Sequence, residues 1–130
     1  MMMKYMNVLA HRSYVRRVMS KLPITTTPIP EQRRHLENIT QHATIPSTVT
    51  VSDITLHLPG HPSIDAEWIK PHCSTPNQVL LYFHGGGFIV GSKETHRPMV
   101  SHITKSANIQ ALSINYRLAP EHTYPAAHQD

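Results

Sequence analysis

Three consecutive glycines, Gly85, Gly86 and Gly87, are the residues whose type and spacing most directly suggest chemistry in this sequence. They follow the apolar run Val79–Phe83, which predicts a short strand buried on both faces, as in a parallel sheet. Without side chains, the backbone can turn sharply, adopt positive φ and bring its N–H groups close to another molecule. Such a turn suits an anion, either a phosphate or the negative oxygen that develops on a carbonyl group under attack.

The residues that flank the glycines distinguish between these two anions. A phosphate loop of the Walker type requires Gly-Lys-Ser/Thr after its glycines, and a dinucleotide loop requires Gly-x-Gly-x-x-Gly. This sequence instead has His84-Gly-Gly-Gly-Phe88, followed by Gly91 and Ser92. That pattern is typical of the oxyanion loops of lipases and esterases. We therefore interpret the turn as an oxyanion hole.

A second motif follows the next predicted strand. It runs from Asn115 to His122 as Asn-Tyr-Arg-Leu-Ala-Pro-Glu-His and continues as Tyr124-Pro-Ala-Ala. With both motifs in this order, the segment from about Val49 to Asp130 resembles the N-terminal half of the hormone-sensitive-lipase-like esterases, within the α/β-hydrolase superfamily. The resemblance implies an incomplete α/β-hydrolase fold, in which N-terminal helices precede the first strands of a mostly parallel sheet.

The resemblance also implies roles for the residues of the turn. The N–H groups of Gly86 and Gly87 would donate to the oxyanion, and Gly85 would form the bend beside the substrate. Phe88 would line the acyl pocket, although an aromatic residue just after a strand could equally belong to the core. His84 precedes the turn, so we expect a ring hydrogen bond that holds the loop rather than a role as general base.

The catalytic triad of this family is missing from the sequence. No serine lies in a Gly-x-Ser-x-Gly elbow, and the chain order serine, acid, histidine places all three members after Asp130. The resemblance implies a serine carboxylesterase that acts on small-molecule esters without a cofactor. Because the triad is missing, we expect the 130-residue chain alone to be inactive. Two alternatives stay open: a non-catalytic, receptor-like module that holds a carboxylate ligand in the same turn, and an inactive truncated product.

Hydrophobic periodicity predicts two helices before the sheet. The first, Tyr5–Leu22, is amphipathic and basic, and it could pack on the domain or lie on a membrane surface. The resemblance favours packing, as part of a cap over the active site. The second helix spans Glu31–His42. We therefore divide the chain into cap-like helices, residues 1–45, and the N-terminal half of the hydrolase core, residues 46–130.

Alternating apolar and polar residues then predict a pair of strands. The first, Val49–Leu58, changes face near Asp53, which indicates a bulge or a twist. The second, Ile64–Lys70, is expected to be antiparallel to the first because so short a link permits only a hairpin.

The residues after the glycine turn predict a helical crossover. A helix capped by Thr95, with Pro98 in its first turn, leads to a strand at Ile109–Asn115 that is parallel to Val79–Phe83. In the second motif, we expect Arg117 and Glu121 to pair with each other or with the backbone and so to fix the path of the loop.

Composition argues against several other functions. The formal net charge of +4 comes from basic residues near the N-terminus, without a recognised nucleic-acid-binding motif. The single cysteine, Cys73, cannot form an intramolecular disulfide and favours a cytoplasmic location. No apolar run approaches the roughly 18 residues of a membrane span. His35 and His42 lie on one predicted helix, but without acidic or cysteine partners at ligand spacing we expect no metal.

Overall fold

The computed structural model describes residues 26–130, and the helix predicted for Tyr5–Leu22 lies outside them. The chain divides after Gln32 into two units, of which the second is Arg33–Asp130. The sheet and all the site residues below belong to this second unit. The division at residue 45 into cap-like helices and hydrolase core remains a prediction.

The described residues form three helices and four strands, with three of the strands in succession. In chain order they are α1 (Ile29–Thr40), β1 (Val49–Leu56), β2 (Ile64–Pro71), β3 (Val79–Phe83), α2 (Lys93–Ala107), β4 (Gln110–Asn115) and α3 (Ala126–Gln129). Helix α1 begins before Pro30, because proline is tolerated in a first turn whose N–H groups have no helical partner. No helix within residues 26–130 is long and apolar enough to cross a membrane.

The strands form one sheet in the order β1-β2-β4-β3. Strands β1 and β2 are antiparallel, as predicted, and β2 is also antiparallel to β4. Strands β3 and β4 are parallel, with Leu81 opposite Leu112, and α2 forms the crossover between them. This mixed sheet with its helical crossover confirms the predicted partial α/β-hydrolase fold.

The change of face in β1 is a property of the side chains and not a bulge. Its pairing with β2 is unbroken from Val49 opposite Pro71 to Leu56 opposite Ile64, so the predicted bulge is wrong. Val49 and Val51 pack with Ile69 and Val100, whereas Ile54 and Leu56 pack in a second cluster with Ile64, Ala66 and Ile114. Strand β1 therefore contributes apolar residues to both faces of the sheet. At the point where the face changes, Asp53 remains paired opposite Glu67 in the continuous register.

Strand β3 is less buried than its sequence predicts. Val79, Leu81 and Phe83 are 50%, 51% and 57% exposed, so the prediction of burial on both faces is wrong within residues 26–130. Only Leu80 and Tyr82, on the other face, pack against the core that includes Val100 of α2. Among the described strands, β3 pairs with β4 alone, which leaves its second edge unpaired.

The crossover helix α2 begins two residues before the predicted cap. Ser92 is the N-cap: its side chain accepts from the Thr95 backbone N–H at 3.1 Å, and the Thr95 hydroxyl accepts from the Ser92 N–H at 2.9 Å. This reciprocal pair is a capping box, with threonine in the position usually held by Glu or Gln. Thr95 is thus the third helical residue and not the cap, and Pro98 lies inside the helix beyond the first turn. The capping box begins α2 immediately after the glycine turn.

Candidate active site

The glycine turn is a tight loop between β3 and α2. The carbonyl of Gly86 accepts hydrogen bonds from the N–H groups of Ile89 and Val90, each at 3.1 Å. Gly86 has φ of 139°, and a Cβ placed there would lie 1.8 Å from the Val90 carbonyl oxygen. Glycine is therefore required at this position both by the backbone angle and by the space available.

Gly87 and Gly91 complete the path of the loop. Gly87 also has positive φ, 62°, but its missing Cβ would face open space. A Cβ on Gly91 would lie 2.4 Å from the Gly85 carbonyl oxygen, so the loop closes on itself at this residue. Gly91 was part of the sequence motif but not among the predicted site residues, because close approach of two backbone segments is visible only in three dimensions.

The N–H groups of Gly86 and Gly87 are the predicted oxyanion donors. No hydrogen bond to another residue in the range 26–130 engages either of them. Two consecutive glycine N–H groups that no residue in this range engages can donate to a negatively charged oxygen with little reorganisation. Their role in catalysis remains a prediction.

His84 lies at the entrance to the turn and is almost fully buried. Its ring stacks on Tyr116 with the centroids 4.2 Å apart, and its Nδ1 lies 3.0 Å from the Gly85 carbonyl oxygen. The Tyr116 hydroxyl donates to the His84 carbonyl. Burial lowers the pKa of His84, which favours the neutral ring. The ring therefore contacts the loop backbone, which is compatible with the predicted structural role.

Phe88, the residue after the glycines, has positive φ, 61°, and is 49% exposed. Its ring stacks on His128 at 5.2 Å and meets Tyr116 edge-on at 5.9 Å. Its carbonyl accepts from the Ala119 N–H at 2.8 Å, which joins the turn to the second motif. A half-exposed ring that emerges from the turn fits a pocket wall better than a core residue, and its contact with substrate remains a prediction.

Arg117 and Glu121 of the second motif do not pair with each other, which was one of the two predicted arrangements. Arg117 does not bind Glu121; it donates to both oxygens of the buried Asp130, at 2.7–3.0 Å, and to the Ala126 carbonyl. Although burial opposes it, this pairing lowers the pKa of Asp130. The loop directs the two side chains to different partners, so the predicted Arg117–Glu121 pair is wrong. The other predicted arrangement, a bond to the backbone, is confirmed for Arg117 by its bond to the Ala126 carbonyl.

Glu121 instead binds a residue that the sequence analysis did not identify. Arg33 of α1 contacts both Glu121 oxygens at 2.9 Å and donates to the carbonyls of Ile89 and Ala119 at 2.8 Å. Local patterns could not reveal this contact, because Arg33 and Glu121 are 88 residues apart.

A charged cluster lies on the α2 side of the sheet. Lys93 Nζ lies 2.6 Å from Asp53, 3.1 Å from Asp65 and 3.3 Å from Glu94. Although burial of the amine acts in the opposite direction, these carboxylates raise the pKa of Lys93. The cluster keeps Lys93 charged and ties the start of α2 to β1 and β2.

Beside this cluster, Arg97 binds the fully buried Glu67 at 2.7 and 2.8 Å. Burial raises the pKa of Glu67 in spite of this pairing. One Glu67 oxygen, Oε1, has no hydrogen-bond partner within residues 26–130. The charge of the buried Glu67 carboxylate is therefore neutralised by Arg97.

His35 and His42 were considered as a metal-binding pair because both fall on one predicted helix, and no metal was expected there. His42 lies past the end of α1, so His35 and His42 do not share a helix as predicted. Within residues 26–130, no three His, Cys, Asp or Glu side chains are grouped as metal ligands would be.

Comparisons with known proteins place this geometry in a class. Residues 80–130 match a family model described as the α/β hydrolase fold. A crystal structure of an esterase from the bacterial hormone-sensitive lipase family superposes with a TM-score of 0.69 and 36% identity, covering 82% of this chain and 35% of that one. A structure of EstE5-PMSF gives a TM-score of 0.76 and 31% identity over 93% of this chain and 40% of that one. The chain has a partial α/β-hydrolase fold.

Curated relatives narrow the assignment. The carboxylic ester hydrolase LipN of Mycobacterium tuberculosis is 39% identical over 82 residues, which cover 63% of this chain and 22% of LipN. The esterase LipI of the same organism is 36% identical over 102 residues, covering 75% of this chain and 31% of LipI. The chain belongs to the hormone-sensitive-lipase-like family and spans less than a third of the length of these two relatives.

Proposed function

We propose that this chain supplies the oxyanion-binding turn of a serine carboxylic ester hydrolase. The observation that carries the proposal is the pair of N–H groups on Gly86 and Gly87, which no described residue engages. Relatives named as a carboxylic ester hydrolase and an esterase match 63% and 75% of the chain. The proposed substrates are small carboxylic esters with short or medium acyl chains, and the proposed location is cytoplasmic.

The turn would act at the step in which charge develops. When a serine oxygen attacks the ester carbon, the carbonyl π electrons move to the carbonyl oxygen, and the two N–H groups would stabilise that negative charge. The serine proton would pass to the triad histidine and from there to the alcohol, which leaves as the carbonyl re-forms and the acyl group stays on the serine. Water would then attack this acyl-enzyme and release the acid. Because the substrate carbonyl is uncharged when it binds, stabilisation of the oxyanion lowers the barrier more than it tightens binding. The serine, its acid and its histidine would come from a segment other than these 130 residues.

A hybrid enzyme tests the proposal. Residues 1–130 replace the aligned N-terminal segment of LipI, and hydrolysis of p-nitrophenyl butyrate is measured. We expect turnover, and we expect Gly87→Ala to lower kcat at least about tenfold, because Ala at positive φ displaces the donor; removing a donor costs about 100- to 1000-fold. KM should change little, and Tm should fall by only a few degrees, as expected for a loss of about 1 kcal/mol.

The matched control is Gly60→Ala, in the turn between β1 and β2. Gly60 also has positive φ, 77°, and open space for a Cβ, but it lies far from the motif in sequence. It should lose comparable stability without loss of kcat. If Gly87→Ala kept kcat but lost binding of a carboxylate ligand, the receptor-like alternative would replace the esterase. A folded hybrid without turnover would contradict the proposal.

A further inference from the structure

The guanidinium of Arg33 joins three segments that are distant in sequence. It projects from α1 and donates through Nε to the Ile89 carbonyl and through Nη2 to the Ala119 carbonyl, each at 2.8 Å. Nη1 and Nη2 also bind the two carboxylate oxygens of Glu121 at 2.9 Å. A planar fork with five donors can satisfy these acceptors together, whereas a lysine ammonium would reach only some of them.

Both backbone acceptors belong to segments that determine the shape of the glycine turn. The Ile89 N–H closes the turn on the Gly86 carbonyl at 3.1 Å, so Arg33 binds the residue that completes it. The Ala119 N–H donates to the Phe88 carbonyl at 2.8 Å, so Arg33 also binds the loop that supports the turn from outside. The guanidinium therefore spans the junction between the two sequence motifs.

The bonds of Arg33 to the Ile89 and Ala119 carbonyls hold these segments together more than its ion pair with Glu121 does. Glu121 is 53% exposed, and exposed ion pairs are screened by solvent and contribute little. Arg33 itself is 27% exposed, and its bonds to carbonyl groups are charge-assisted. The Arg33 guanidinium also lowers the pKa of Glu121 through their hydrogen bond, so Glu121 stays ionised as a partner.

We propose that Arg33 is a positioning residue that fixes the glycine turn against the second motif. By holding the Ile89 and Ala119 carbonyls at a set separation, it keeps the N–H groups of Gly86 and Gly87 aimed in one direction. The catalytic consequence of this placement rests on the proposed esterase function. The placement itself does not, because it concerns only the order of the loop.

Amide hydrogen exchange on the whole 130-residue chain tests the placement without any need for catalysis. In Arg33→Met, we expect the amides of Ile89, Val90 and Ala119 to exchange about five- to tenfold faster, because the loss of charge-assisted bonds favours local opening. Arg33→Lys should restore part of the protection. Amides of β2 and β4 should keep their rates.

Two further variants keep the test decisive. Arg34→Met removes the same charge from the next position of α1; Arg34 is exposed and no hydrogen bond or ion pair joins it to a described residue, so exchange should not change. Glu121→Gln should alter exchange in the turn less than about twofold, because the backbone bonds remain.

The proposal is overturned if Arg33→Met leaves the turn amides unchanged, or if Arg34→Met accelerates them equally. It is also overturned if acceleration extends uniformly through β2 and β4, since that result means global destabilisation. An inactive hybrid enzyme with Arg33-dependent protection would reject the esterase function alone. An active hybrid without such protection would reject the role of Arg33 alone.

Discussion

The ion-paired region at the start of α2 and the glycine turn after β3 differ in whether their polar groups have partners within residues 26–130. Where α2 begins beside β2, the chain buries charge and supplies the partners itself: the Lys93 side chain is 4% exposed, and its Nζ lies within 3.3 Å of three carboxylates. At the end of β3, the N–H groups of Gly86 and Gly87 have no partner among the described residues. The first region pairs its buried charges internally, whereas the second leaves two backbone N–H groups without a partner within residues 26–130.

This contrast reflects the cost of each arrangement. A buried charge without a partner is strongly unfavourable, so Lys93 and Glu67 each have an ion-pair partner of opposite charge. Open N–H groups at a partly exposed turn can bind water at little cost, and they become valuable only when a negative oxygen replaces it. Substitutions in the two regions should therefore fail in different ways, and the following predictions are ordered by expected size.

The largest effect should come from Gly86→Ala. A Cβ there meets the Val90 carbonyl oxygen at 1.8 Å, and φ of 139° is unfavourable for alanine. Backbone strain and overpacking each cost about 1–3 kcal/mol, so we expect the free energy of unfolding to fall by about 3 kcal/mol. Urea denaturation followed by circular dichroism measures the loss.

Gly87→Ala is the matched comparison for this variant. Gly87 also has positive φ, but a Cβ would contact nothing within 4 Å. Its loss should be about 1 kcal/mol, the usual cost of the left-handed conformation. Equal losses in the two variants would mean that the turn relaxes freely, and the claim that Gly86 is fixed by space as well as angle would be wrong.

The next largest loss of stability should come from Arg97→Met, in the ion-paired region beside α2. This variant leaves Glu67 buried and without its partner, a change that typically costs about 3–5 kcal/mol in fully buried pairs. Arg97 is 30% exposed, and Glu67 can neutralise by taking up a proton, so we expect about 2 kcal/mol at neutral pH. Denaturant unfolding at pH 7 provides the measurement.

Glu67→Gln combined with Arg97→Met identifies the cause. If the unpaired carboxylate is responsible, the double variant should be more stable than Arg97→Met alone, and the two effects should not add. Additive losses would show that packing of the Arg97 side chain, and not neutralisation of Glu67, is what stabilises this region.

Sequence reasoning was most successful for the segment from β3 to β4. Its signals are local: an apolar run, a glycine cluster and a helical stripe identify strand, turn and crossover within about 35 residues. The same signals predicted an oxyanion turn from the glycines and their flanking residues, and that role stays a prediction. The antiparallel β1–β2 pair was predictable for the same reason, since a short link permits only a hairpin.

The features that sequence reasoning missed depend on distant parts of the chain. Arg33 binds acceptors 56 to 88 residues away, and no local pattern selects them. Burial of β3 was predicted from the type of its residues, yet burial depends on what covers them, and Leu81 stays half-exposed among the described residues. The face change at Asp53 was visible in sequence, but only the continuous register showed that it involves no bulge.

The smallest effect should be a loss of stability at mildly acidic pH, centred on the glycine turn. The rings of His84 and His96 lie 5.6 Å apart, and burial lowers the pKa of both below the usual 6.5. The unfolded chain therefore binds protons more readily than the folded chain as the pH falls. Stability is fully present above about pH 6.5 and declines below it.

We expect the Tm of the chain to fall by a few degrees between pH 7.5 and pH 5.5. The His84 ring faces Tyr116 and His96. Repulsion between the charged forms of the two imidazoles adds to the cost of burial and lowers the pKa of His84 further, whereas Glu94 acts in the opposite direction. His96→Gln removes one titrating ring and should reduce the pH dependence, whereas His102→Gln, at an exposed position of α2, should leave it unchanged. Glu67 titrates in the opposite sense in all three proteins, so the difference between variants isolates the histidines. If His96→Gln and His102→Gln had the same pH profile, the acid sensitivity would belong to another part of the chain, and the turn would be no more pH-sensitive than the ion-paired region.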